Sequence, residues 1–187
     1  MKRSFASGFR GFSGILAAVA VSSTALPSGA QGIAVALFYD DNYVETFASS
    51  SAEAYTVSNA LASLGHVIYP FSGVTSNDLA LGLAGAEVLL IPDLELGDLA
   101  AALDAGARSV IADFVADGGG LVVHATHTPR DEDLVNGIFG LSVTQASAYA
   151  YADDLAVLVA GAHGTAFAGG PDPLPGNDGT YAWTLAS

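Results

Sequence analysis

"GGGLVVHATHT", Gly118 to Thr128, joins a glycine run, a short apolar segment and two histidines. What flanks it decides the fold. Upstream, Val110, Ile111, Phe114 and Val115 recur with the spacing of one buried helix face, and Gly118 is a stop signal for that helix. "LVVHA", Leu121 to Ala125, then reads as a strand. Downstream, "TPRDEDLVNGIFG" predicts a second helix, with Thr128 as N-cap, Pro129 in the first position and Asp131 in the third. Leu134, Val135, Ile138 and Phe139 make its buried face. A strand between two helices belongs to a parallel sheet covered by helices.

The same alternation extends toward the N-terminus. "IAVALFY", Ile33 to Tyr39, is a near-continuous apolar run, as expected of a strand buried on both faces. Ser50 and Glu53 have the spacing of a capping box. They open a helix whose face is Ala54, Val57, Leu61 and Leu64, ending at Gly65. "HVIYPF", His66 to Phe71, is the second strand. A short helix is expected over Asn77–Leu83, and "EVLLIP", Glu87 to Pro92, is the third strand. Asp98 caps a short helical piece through Leu103. The predicted architecture is α/β, a parallel sheet with helices on both faces. After Leu141 the helices stop, and residues 144–187 read as an irregular, β-rich appendage.

Residues 1–30 have the grammar of a secretory peptide: Lys2, Arg3 and Arg10, then the largely apolar Gly11–Leu26, then Ser28, Gly29 and Ala30 as small residues before a cut. Ser22, Ser23 and Thr24 interrupt the apolar stretch, which falls short of the roughly 20 residues that span a bilayer. The expectation is one exported domain, residues 31–187, secreted or periplasmic. The chain contains no cysteine, so it forms no disulfide and has no cysteine for a lipid anchor. Beyond Ala30 only Arg108 and Arg130 are cationic, against 19 acidic residues, a formal charge of −17. Such a surface repels nucleic acid and anionic lipid. It fits a small neutral or cationic ligand. Oligomeric state is not legible, and the weakly terminated tail also suits a piece of a larger secreted protein.

Open parallel sheets bind ligands beyond the carboxyl ends of their strands. That rule selects Asp40, Asp41 and Asn42 after the first strand, with Tyr43 and Glu45 nearby. It selects Asp93 and Glu95 after the third, and His124, Thr126 and His127 after the fourth. Carboxylates and imidazoles at one rim suit general acid–base chemistry or a divalent cation. Asp40 and His124 are the candidate acid–base groups. Asp41, Asn42, Glu95, Thr126 and His127 are candidate ligand contacts. Each has a plainer alternative: Asp40 and Asp41 bonding loop amides, Asp93 and Glu95 in a solvated loop, His124 packing at a strand end, His127 hydrogen-bonding in its loop. No His-Glu-x-x-His spacing is present, so a divalent metal remains one option. His66 falls at the opposite edge, and His163 lies in the tail. The glycines do not form a phosphate loop, because they run from helix into strand rather than from strand into helix. Asp131, Glu132 and Asp133 in the first turn of the last helix complement its dipole, which disfavours an anionic ligand there.

"FVADGGGLVVHA", Phe114 to Ala125, resembles the helix–Gly-Gly-Gly–strand segment of the class I glutamine amidotransferase-like superfamily. The strand-end histidine followed by a small residue is most similar to its ThuA-like branch. "GHVIYPFSG", "AEVLLIPDLE" and "DLVNGIFGLSV" keep the same order of elements, so the resemblance spans Ile33–Val143. Gly164–Ala182 resembles the tail of secreted bacterial proteins that carry such a domain. The resemblance implies a flavodoxin-like fold and places the superfamily's nucleophile turn at about His124–Thr126. Without a cysteine, thiol-based glutamine hydrolysis is chemically excluded. Two functions follow as expectations. The first is a non-catalytic, exported binding or surface domain. The second is a ThuA-like enzyme acting on a neutral small molecule such as a sugar, with or without a metal.

Overall fold

Strand β1, Ala34–Phe38, is the centre of the molecule because every residue after Ala34 is apolar and buried. The computed structural model describes residues 32–49, 52–125 and 128–150, together with the short strand segments of residues 155–156, 174–175 and 180–185. Around β1 stand β2 (Val67–Phe71), β3 (Val88–Ile91) and β4 (Gly120–Val123), all parallel, in the order β2-β1-β3-β4. The chain is therefore an α/β protein built on a four-stranded parallel sheet.

Strand alternation sends successive side chains to opposite faces. Val35, Leu37 and Leu90 face one side, where Val57 and Leu61 of helix α1 (Glu53–Ser63) pack with them. Ala36, Phe38, Leu89 and Ile91 face the other, against Leu79 of α2 (Ser76–Gly82), Leu99 of α3 (Leu99–Ala102), Ile111 of α4 (Ala105–Ala116) and Leu134 of α5 (Arg130–Phe139). Helices thus cover both faces, unequally. Pro70, which lacks an N–H, stands on edge strand β2, where the sheet tolerates it.

The helix ends refine the sequence reading. Asp98 and Asp104 cap α3 and α4 through their carboxylates, and Thr75 with Asp78 forms a capping box at α2. Gly118 adopts φ 102°, a conformation that glycine enters without strain. Its N–H bonds the Val115 carbonyl, and the next N–H, of Gly119, reaches back to Phe114. That pair of bonds is a Schellman stop, so the glycine run ends α4 as its polarity indicated. Two expected caps differ. Helix α1 has Ala52 as N-cap with no side-chain bond, and Glu53 is turned to another use. Helix α5 has Pro129, not Thr128, as N-cap, because the chain turns helical only at Arg130.

Beyond α5, β5 (Val143–Ala150) pairs antiparallel with β8 (Thr180–Leu185), and β6 (Leu155–Ala156) with β7 (Leu174–Pro175). The Asn136 amide joins α5 to β5: it donates to the Val143 carbonyl at 2.8 Å and accepts from the Val143 N–H at 2.8 Å. Replacing Asn136 with Ala leaves both groups beside a buried residue without this partner. The expected loss is about 1–3 kcal/mol of stability, read by urea denaturation. No helix among the described residues is long and apolar enough to cross a membrane. Residues 1–31, which carry the expected export signal, lie outside the described residues.

Candidate functional site

The ladder between β3 and β4 runs one bond past the last strand residue. The His124 N–H donates to the Ile91 carbonyl at 3.0 Å, which fixes the His124 backbone at the carboxyl edge of the sheet. Its ring turns toward α1. Nδ1 meets Oε1 of Glu53, the first residue of that helix. The other carboxylate oxygen of Glu53 accepts the Asp93 N–H at 3.1 Å, just past the end of β3. One carboxylate therefore joins the ends of two strands to the start of a helix, where the positive end of the helix dipole favours a negative charge.

The His124 and Glu53 side chains are 29% and 34% exposed. The pair is partly shielded yet reachable from solvent. An ionised carboxylate only accepts hydrogen bonds, so beside ionised Glu53 a neutral His124 ring donates from Nδ1 and keeps its lone pair on Nε2. This arrangement presents an oriented proton acceptor.

Asp40 has different partners. Its Oδ1 accepts the Asn42 N–H at 3.0 Å and the Asn42 side-chain amide at 2.8 Å, and its Oδ2 accepts the Gly73 N–H at 3.0 Å. Burial by itself would raise its pKa. The bonds from the Asn42 backbone, the Gly73 backbone and the Asn42 side chain outweigh that effect and hold the carboxyl below the ordinary carboxylate range. Asp40 thus ties the loop after β1 to the loop after β2, the loop-amide role that stood beside the catalytic one in the sequence. The carboxylate partner of His124 is Glu53, a residue outside the set that the strand-end rule selects.

Asp41 and Asn42 are exposed on the β1 loop, and Glu95 is exposed on the β3 loop. The two loops touch: the Leu96 N–H donates to the Tyr43 carbonyl at 3.0 Å. A Cβ on Gly97 would lie 2.3 Å from the Asn42 carbonyl oxygen, so only glycine allows this approach. Thr126 and His127 lie outside the described residues, as does His163. His66 accepts the Ile33 N–H at the opposite edge, away from the pair. Among the described residues no group of three or more His, Asp or Glu is placed to hold a metal ion, so a divalent metal has no donor set there. A groove of about 310 Å³ opens between β2 and α2, lined by Tyr69, Phe71, Ser72 and Leu81 among others, and shares no residue with the His124–Glu53 pair.

Both cations beyond residue 31 are used on main-chain carbonyls. Arg108 donates to Leu103 at 3.1 Å, Ala100 at 2.6 Å and, more weakly, Gly137 at 3.5 Å. Arg130 donates through Nη1 to Leu94 at 2.7 Å and to Glu95. Asp131 and Glu132, in the first turn of α5, are buried rather than solvated.

Glu53 escaped the strand-end rule because it precedes no loop; it opens a helix. In a parallel sheet the helix that follows a strand starts on the same rim, so helix first residues belong in the search as much as strand last residues. Its capping-box spacing with Ser50 supplied a competing local explanation. No family model, no curated protein and no solved structure matches the chain.

Proposed function

We propose that the chain is an exported protein on a flavodoxin-like, amidotransferase-like scaffold in which His124, oriented by Glu53, acts as a general acid–base group on a small neutral or cationic molecule. The observation that carries this reading is the Glu53–His124 pairing at the carboxyl rim. The strand order β2-β1-β3-β4 supports the scaffold, since flavodoxin-like sheets begin in that order. In the first step Nε2 takes a proton from a water or hydroxyl as its oxygen bonds to the carbon that carries the leaving group, and Glu53 stabilises the imidazolium that forms. In the second step the bond from that carbon to the leaving oxygen or nitrogen breaks, and the ring returns the proton to the leaving atom. A formal charge of −17 beyond Ala30 favours a neutral or cationic molecule over an anionic one.

A non-catalytic binding domain is the second reading. It is favoured by Asp40, whose carboxylate is occupied by three donors. A panel of neutral sugars and small amines, assayed for turnover and for binding, separates the two. Under the catalytic reading His124→Gln lowers turnover by about 10²–10⁴-fold and leaves binding near the wild-type value. Binding without turnover in the wild-type chain, unaffected by His124→Gln, supports the binding module instead.

A further inference from the structure

We propose that Arg130 is the positioning residue of the His124–Glu53 pair; this rests on the acid–base reading of that pair. Arg130 is the first residue of α5, the next helix in the chain after His124. Its guanidinium crosses to the loop after β3 and donates to the Leu94 and Glu95 carbonyls. Leu94 is fully buried, so this loop is anchored on one side by its side chain and on the other by the arginine. Asp93 is the residue immediately before. Its N–H reaches Oε2 of Glu53, and Oε1 of Glu53 meets the His124 ring.

The bonds form one circuit. It runs from Arg130 across to Leu94 and Glu95, back one residue to Asp93, and through Glu53 to His124. Each link sets the geometry of the next. Without the guanidinium, segment 93–95 loses its tie to α5, the Asp93 amide loses its fixed direction, and Glu53 loses the bond that orients its carboxylate. Both bonds leave one nitrogen, Nη1, so a lysine ammonium that reaches the same place keeps part of this tie.

Arg108 supplies a matched control. It also spends its guanidinium on main-chain carbonyls, but those of Ala100, Leu103 and Gly137, which join α3, α4 and α5 outside the circuit. The test is ¹⁵N NMR of the His124 ring in the purified full chain, read as the balance between Nδ1-protonated and Nε2-protonated forms at alkaline pH. Variants Glu53→Ala, Arg130→Met, Arg130→Lys and Arg108→Met are compared with wild type. The expected result is a shift toward Nε2 protonation in Glu53→Ala, which removes the acceptor, and a shift of at least half that size in Arg130→Met. Arg130→Lys restores part of it, and Arg108→Met leaves the wild-type balance. If Arg130→Met does not fold, Arg130→Lys carries the comparison, with a partial shift expected. A wild-type balance in the folded Arg130 variants, with Glu53→Ala shifted, overturns the role of Arg130 and leaves the pair standing. An equal shift in Arg108→Met also overturns it, as general loosening. No shift in Glu53→Ala overturns the reading of the pair itself.

Discussion

Phe38→Ala is expected to lower the unfolding free energy by about 3–5 kcal/mol, the range for truncating a buried aromatic side chain. Phe38 is 1% exposed and closes β1. Its ring stands 5.8 Å from Tyr43 and 5.7 Å from Phe71, centroid to centroid, the second pair edge-on. Truncation removes transfer free energy and opens a void that the parallel strands on either side cannot close, because β1 is held in register by both β2 and β3. The void also lies beneath the loop that Asp40 organises. In urea the midpoint falls while the slope stays at the wild-type value, since the same surface is exposed on unfolding. A loss under about 1 kcal/mol would show that β1 is not the packed centre of the sheet.

Asp40→Ala is expected to cost about 2–4 kcal/mol, because three donors lose an ionised acceptor and the Gly73 and Asn42 amides are left without their partner. Asp40→Asn keeps one oxygen but sets an NH₂ against an N–H, and is expected to cost about 1–2 kcal/mol. The pH dependence follows from the direction of the pKa. The folded carboxyl lies below the ordinary value of 3.8, so at acid pH the unfolded chain takes up this proton before the folded one does. The stabilisation is complete above the ordinary carboxylate pKa and is lost as pH falls through the lower, folded value. The stability gap between wild type and Asp40→Asn should therefore be constant near neutrality and shrink below about pH 4. A gap independent of pH across that window would mean that the neutral acid is held as well as the carboxylate.

Sheet order was not written in any one segment, but its ingredients were. The unbroken apolar run of β1 marks a strand with neighbours on both sides. The glycines after α4 mark a stop at the amino edge, and they sit there as a Schellman turn. Local chemistry misled where a long-range partner competed with a short-range one. Glu53 fits a capping box with Ser50 by spacing, yet its carboxylate is drawn to His124 and the Asp93 amide, 71 and 40 residues away in sequence. Asp40 shows the reverse. Its place after β1 makes it a catalytic candidate, while its bonds to Asn42, two residues on, and to Gly73, across the neighbouring loop, fix the turn. Arg130 carried no motif. Its role comes from two carbonyls that only the folded chain brings within reach.

The central claim is that Glu53 fixes which nitrogen of His124 carries the proton. Free neutral imidazole is not held to one form, whereas a ring donating from Nδ1 to a carboxylate is. The most direct measurement is the ¹⁵N spectrum of the His124 ring in the wild-type chain with the ring neutral. A protonated Nδ1 and a bare Nε2 are expected. A dominant Nε2-protonated form would contradict it.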